Sequence, residues 1–219
     1  MKSIGLKKKS EATREALLAA GTRLFAERGF DGASVDAIAR GAKVNKAMIS
    51  YHFRGKDGLY RAILAETFEP TLKRIEGLKA DSRPAPERLK TFVSLFAEMV
   101  DHRPGLPAMI LREVLSGGHH LDERTIPYFL AVLAAVQQIV KGGIRERSFR
   151  RVDPILTHIS LIGGLVFFFA TQPLRERFAR EGRLPVRLPA SAAYVAHFQN
   201  LMSRALQADE RLKTVRKRR

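Results

Sequence analysis

The sequence predicts an all-α protein: an N-terminal three-helix unit built around a helix-turn-helix, followed by a larger helical bundle. Three observations carry this expectation. Apolar residues recur at three- and four-residue spacing along most of the 219 residues. No run of alternating β-branched residues reads as a strand. Glycine, proline and polar clusters punctuate the apolar stripes at intervals that suit helices.

The elements follow in order. From Ser10 to Arg28, Leu17, Ala20, Gly21, Leu24 and Phe25 form one stripe, opened by Ser10-Glu11 and stopped by Gly29. A short second helix begins at Ser34, whose hydroxyl suits an N-cap. Asp36 favours its positive dipole end, with Ile38, Ala39 and Ala42 inward. A third starts at Asn45, buries Ile49 and Phe53 one turn apart, and ends at Gly55. A fourth runs from about Lys56 to Lys79 with Leu59, Ile63, Leu64, Phe68, Leu72, Ile75 and Leu78 inward. Pro70 is expected to kink or restart it. Pro84 and Pro86 make 80–86 the clearest linker. Beyond it, Leu89, Phe92, Val93, Phe96, Met99 and Val100 make a stripe ended by Arg103-Pro104-Gly105. A shorter helix through Met109, Ile110 and Val114 runs to Gly117-Gly118. A long helix from about Asp122 to Arg147, one over Pro154–Thr171, a loop near Gly182–Pro189 and a last helix from about Ala190 to Ala208 complete the chain.

Composition narrows the function classes. With 45% hydrophobic and 28% charged residues the chain is globular rather than disordered. It has no cysteine, which excludes disulfides and thiolate metal sites and fits a reducing compartment. Its net charge of +17 attracts polyanions (DNA, RNA or anionic lipid) without choosing among them. No apolar segment follows Lys2, Lys7, Lys8 and Lys9, so the cytoplasm is the expected location. Pro154 to Leu174 carries no Asp, Glu, Lys or Arg. His158, Ser160, Gly163, Gly164, Thr171 and Gln172 interrupt it, and a buried central helix is expected rather than a membrane span. No phosphate loop, Ser-His-Asp set or paired carboxylates stand out, so neither catalysis nor a cofactor is expected. His119-His120 beside Asp122 and Glu123 reads as an exposed turn, and no metal site is expected.

The chemistry concentrates between Ser34 and Phe53. Two short helices joined by the tight turn Gly41-Ala42-Lys43-Val44 describe a helix-turn-helix, with Val44 plugging the angle between Ile38 and Ile49. The outward residues of the third helix are then Lys46, Ala47, Ser50 and Tyr51, with Met48 and His52 at the edges. Ala47 and Ser50 permit close approach to a groove, Lys46 donates to guanine or phosphate, and Tyr51, His52 and Lys56 suit phosphate oxygens.

Over Ala12–Leu64 the chain resembles the TetR family of bacterial regulators. The resemblance rests on Phe25…Gly29-Phe30, Ser34-Val35-Asp36-Ala37-Ile38-Ala39, Ala42-Lys43-Val44-Asn45 and Ile49-Ser50-Tyr51-His52-Phe53…Lys56-Asp57-Gly58-Leu59. Lys43 stands where the family has glycine, adding a charge within reach of phosphate, and Ser50 replaces a frequent aromatic residue. The resemblance implies DNA-facing positions at Lys46, Ala47, Met48, Ser50, Tyr51 and His52, and phosphate-facing ones at Ser34 and Lys56. It implies a sequence-specific regulator, commonly a repressor released from a palindromic operator in double-stranded DNA by a small-molecule effector. A homodimer follows, since one helix-turn-helix buries too little surface for tight specific binding.

The resulting organisation is a basic flexible arm (1–9), a DNA-binding domain (10–56), a linking helix (56–79), an effector and dimerisation domain (80–208) and a basic tail (209–219). By resemblance the last two long helices form the dimer interface, with Gly163, Gly164, Phe168, Tyr194, Phe198 and Leu201 as candidates. A largely apolar effector would lie among Phe96, Met99, Met109, Arg112, Phe129, Val132, Val136, His158, Ile162 and Phe167. The continuous fourth helix would carry its effect to the DNA. A non-specific packaging protein explains the charge but not the apolar second domain.

Overall fold

A computed structural model describes residues 2–78, 80–183 and 188–208, with side chains from residue 8 onward. The described residues form ten helices and one isolated bridge, Phe149 with Gln207. They divide into two compact units that interleave in sequence. The first takes the chain through Pro70, Met99–Tyr128 and Val166–Gln172; the second takes Thr71–Glu98, Phe129–Leu165 and the segment from Pro173 on. The division is therefore not the contiguous one at residue 80 that the linker suggests. The basic tail 209–219 and Lys79 lie outside the described residues, as do the side chains of Lys2 and Lys7.

In the first unit, α1 (Lys2–Gly32) packs on α2 (Val35–Ala42), α3 (Ala47–Phe53) and α6 (Leu106–Leu115). The helix begins well ahead of Ser10, so residues 2–9 are helical rather than a flexible arm; lysine is a good helix former, and the run carries the helix through Gly5. Gly29 interrupts it where the sequence suggests: with φ 73° and ψ 175° it breaks the helical geometry, and a separate short turn follows to Gly32. Leu17, Leu18, Leu24 and Phe25 are buried with Ile38, Ile49, Leu59, Ile63 and Leu64. α4 (Lys56–Gly77) runs through Pro70 without interruption. Pro70 is exposed, where a carbonyl freed by its missing N–H can meet water.

In the second unit, α5 (Ala85–Asp101) starts inside the expected linker, because Pro86 falls in its first turn, where no N–H is needed. α7 (Ile126–Arg145) is shorter than Asp122–Arg147. Asp122 Oδ1 accepts from the Arg124 and Thr125 N–H groups, both at 3.1 Å, and closes a turn ahead of it. Glu146 pairs with buried Arg88 and accepts the Ala85 N–H at 2.9 Å, fastening the end of α7 to the start of α5. α8 (Pro154–Ala170) is capped by Asp153, whose Oδ1 accepts from Ile155 N at 2.7 Å and Leu156 N at 2.9 Å. α9 (Gln172–Arg180), unforeseen in the sequence, buries no residue. α10 (Ser191–Leu206) is tied to α5 by Gln199, which donates to Lys90 O at 2.8 Å and Ser94 Oγ at 2.9 Å. By length and composition α7 is apolar enough to cross a bilayer, but its Val132, Val136, Ile139 and Val140 are buried in protein.

Candidate nucleic-acid interface

Local capping sets α2 and α3. Ser34 Oγ accepts the Ala37 N–H at 3.1 Å, and Asn45 Oδ1 accepts the Ala47 N–H at 2.8 Å, so both residues act as the caps their side chains favour. Between them Lys43 lies in the left-handed region (φ 57°, ψ 40°), its N–H donating to Arg40 O at 3.1 Å while Val44 N donates to Ala39 O at 3.1 Å. A side chain in this conformation costs about 1 kcal/mol relative to glycine. The turn keeps an exposed ammonium in exchange.

α3 is amphipathic over barely two turns. Ile49 and Phe53 are buried; Lys46, Ala47, Ser50 and Tyr51 are exposed, Tyr51 by 75%; Met48 and His52 are half-buried at the edges. No apolar cover lies over the outward face among the described residues. Lys46 Nζ rests 3.4 Å from Asp36 Oδ1, an exposed pair that holds it only weakly. The His52 ring meets Tyr51 edge-on at 4.9 Å, and its buried Nε2 has no hydrogen-bond partner.

Lys56 is placed differently from the other candidates. Its Nζ donates to Phe30 O at 3.0 Å and sits 4.2 Å from the centre of the Phe30 ring, bracing the start of α4 against the end of α1. Two supports escape sequence reasoning altogether. Arg14 lies over the Phe53 ring at 5.3 Å and bonds Glu66, tying α1, α3 and α4 together. Gly58 meets the backbone of α3 so closely that a Cβ would fall 1.6 Å from Phe53 O. No local pattern of charge or polarity signals either; each depends on a contact made only in the fold. Arg54, exposed just past α3 with φ 61°, adds a further cation there.

The expected effector residues do not converge on one described cavity. Phe96, Met99, Met109, Val132 and Val136 are buried, and Phe129, His158 and Ile162 half-buried. Phe167 is 63% exposed, on the outside of α8 rather than on a pocket wall. Arg112 donates from Nε to Ala26 O at 2.6 Å and from Nη2 to Glu27 O at 2.9 Å. It caps carbonyls near the Gly29 break and is committed there. A cavity of about 340 Å³ in the first unit includes Met109 and Arg112 in its lining. A groove of about 560 Å³ along α7, lined by Ala134, Gln137, Gln138, Lys141, Ile144 and Arg145, contains none of the expected residues.

The expected interface residues divide in the same way. Gly164 packs on the Phe198 ring, and Tyr194 Oη donates to Gly164 O at 2.9 Å, so Gly164, Tyr194 and Phe198 join α8 to α10 within one chain. Phe168 is half-buried against Phe169. Gly163 and Leu201 are exposed, and so are Ile155, Leu156 and Ile159, which the sequence did not single out. Among the described residues no three His, Asp or Glu side chains are grouped to hold a metal ion.

Residues 17–63 match the family described as bacterial regulatory proteins, tetR family. A probable HTH-type transcriptional regulator of Bacillus subtilis, YttP, is 29% identical over 63% of this chain and 68% of its own length. Among solved structures, the hemolysin II transcriptional regulator HlyIIR aligns over 91% of this chain and 99% of its own, with TM-score 0.65 and 22% identity. FadR from Bacillus subtilis, solved in complex with stearoyl-CoA, aligns over 86% and 97% with TM-score 0.65 and 17% identity. Both structures share the all-helical fold.

Proposed function

The chain belongs to the TetR family of bacterial transcriptional regulators, and from that premise we propose that it represses transcription by binding a palindromic operator as a homodimer. Its work is binding rather than catalysis, and it acts in the cytoplasm. The observation that carries the reading is the outward face of α3: Lys46, Ala47, Ser50 and Tyr51 stand exposed on a helix anchored by Ile49 and Phe53. Small residues beside a cation and a phenol let the helix backbone sit close to base edges while Lys46 and Tyr51 reach bases or phosphates. Met48 and His52 flank that contact, and Ser34 and Lys43 meet phosphates at the α2 end. Lys56 serves chiefly to hold α4 in place.

A dimer is supported by the exposed apolar residues of α8 in the second unit, namely Ile155, Leu156 and Ile159, with Leu201 of α10 exposed in the same unit. An apolar surface of this kind on a charged chain is best explained by a partner copy. Release from DNA would follow binding of a small, largely apolar effector among the helices that follow α4, as the stearoyl-CoA bound to FadR suggests. α4, helical from Lys56 to Gly77, would carry the change to the α2–α3 pair.

Mobility of the DNA upstream of the chain's own gene tests the reading, at fixed salt and against random DNA of equal length. Lys46→Ala and Tyr51→Ala are each expected to weaken operator binding by about tenfold, a loss of about 1–2 kcal/mol. Equal binding by all three proteins, or equal affinity for random DNA, would sink it.

A further inference from the structure

A cluster in the first unit is left unused by the interface. Glu113 of α6 is buried, with 5% of its side chain exposed, and three groups converge on it. Tyr60 Oη donates to Oε2 at 2.8 Å, the His120 backbone N–H donates to Oε1 at 2.8 Å, and His120 Nδ1 lies 3.1 Å from Oε2. The other ring nitrogen, Nε2, lies 3.3 Å from Asp31 Oδ2, beyond the Gly29 break in α1. Phe30 stacks on the imidazole at 4.5 Å. A single imidazole thus stands between two carboxylates from different helices.

The two carboxylates are not equivalent. Asp31 is 88% exposed and is solvated without help, whereas an unpaired buried Glu113 would be costly. A neutral imidazole has one N–H to give; an imidazolium has two. We propose that His120 is a proton-operated clasp: as imidazolium it ties Asp31 at the end of α1 to Glu113 in α6, and as neutral imidazole it keeps Glu113 and releases Asp31.

Charges from every packed element bear on the ring. From α1 come Asp31 and Arg28, from α6 Glu113 and Arg112, and from α4 Lys56 and Tyr60; His119 adjoins it in its own loop. Lys56 acts on the far partner of the stack, Phe30, and Arg112 is committed to the Ala26 and Glu27 carbonyls. Arg28 lines the adjoining cavity. Burial and Glu113 hold the Tyr60 phenol protonated far above the ordinary tyrosine range, so it donates throughout. The groups in direct contact with both ring nitrogens are carboxylates, and attraction therefore outweighs the more distant cations. The clasp is closed when the imidazole carries both protons and open when it carries one. Asp31 lies just before Ala33 and the α2 cap Ser34, so the clasp bears on the segment that enters the helix-turn-helix.

The test uses the full chain without DNA, so that it stands or falls separately from the operator reading. Chemical unfolding of wild type and Asp31→Asn is compared at about pH 5.5 and about pH 8. Asp31→Asn is expected to raise the unfolding constant about threefold at the acidic pH and leave it unchanged at the alkaline one, since the exposed end of the clasp is modest in strength. In a His120→Gln background the Asp31→Asn effect must vanish at both. Should His120→Gln fail to fold, long-range ¹H–¹⁵N correlations of the wild-type imidazole decide instead. Protons on both ring nitrogens at the acidic pH are expected; a single neutral tautomer there, or an Asp31→Asn effect independent of pH, would overturn the proposal.

Discussion

Gly58 sits in the first turn of α4, and its missing side chain matters more than that of any exposed residue of α3. A Cβ there would lie 1.6 Å from the Phe53 carbonyl oxygen, a backbone atom that cannot rotate away. Gly58→Ala must therefore push α3 and α4 apart at the point where Phe53 anchors the recognition helix. A stability loss of about 3 kcal/mol is expected in chemical unfolding, at the upper end of overpacking costs; an unchanged midpoint would mean the junction yields freely. His158 makes a second prediction at this scale. Its Nδ1 is buried without a hydrogen-bond partner, and burial lowers its pKa from 6.5 because the charged form loses water. The fold thus prefers the neutral ring. Stability from this site is full above pH 6.5 and declines as pH falls from there toward the lower value in the fold. His158→Leu should unfold at a denaturant midpoint less sensitive to acid over that window. Equal sensitivity in both proteins would place the acid response elsewhere.

At the scale of elements, what the sequence discloses depends on whether the determining contacts are local. Ser34 and Asn45 cap helices through N–H groups two or three residues on, and Ile38, Ile49 and Phe53 are inward because polar neighbours mark the opposite face. α2, α3 and the exposed face of α3 were legible for that reason. α1 differs from the sequence reading at its start, where helix precedes Ser10. Gly29 breaks the helix as its backbone freedom predicts, and the carbonyls of Ala26 and Glu27 just before it are met by Arg112, which is remote in sequence. α8 is apolar all round, and its periodicity could not separate the residues facing α10 from those facing outward. Gly164, Tyr194 and Phe198 pack α8 on α10 within the chain, while Ile155, Leu156 and Ile159 are the exposed apolar residues of α8. α9 sets only Leu174 and Phe178 one turn apart and buries neither, a signal too short to mark a helix. The Glu113–His120–Asp31 cluster was invisible for a related reason: His119-His120 reads as a polar turn until Asp31 and Tyr60 are brought to it.

At the scale of the whole molecule, a net charge of +17 opposes self-association, while α8 presents apolar side chains to solvent. Ile155, Ile159, Gly163 and Phe167 recur every four residues along one exposed side of that helix, and a Cβ at Gly163 would have no atom of the described residues within 4 Å. A stripe with a glycine at its middle suits close approach by a second helix, whose burial must exceed the charge repulsion. Ile159→Lys places a cation at the centre of the stripe on an exposed site, so each subunit should keep its helicity and thermal midpoint as judged by circular dichroism. Sedimentation velocity is expected to show a monomer. Operator affinity should then fall by about 100-fold or more, because the two half-sites no longer bind as one unit. The dependence of affinity on salt should weaken by about half, since each binding event neutralises half as many phosphates. A variant that remains dimeric would move the interface off this face of α8. A monomer that keeps full operator affinity would instead show that one recognition helix is enough, and would remove the reason for a palindrome.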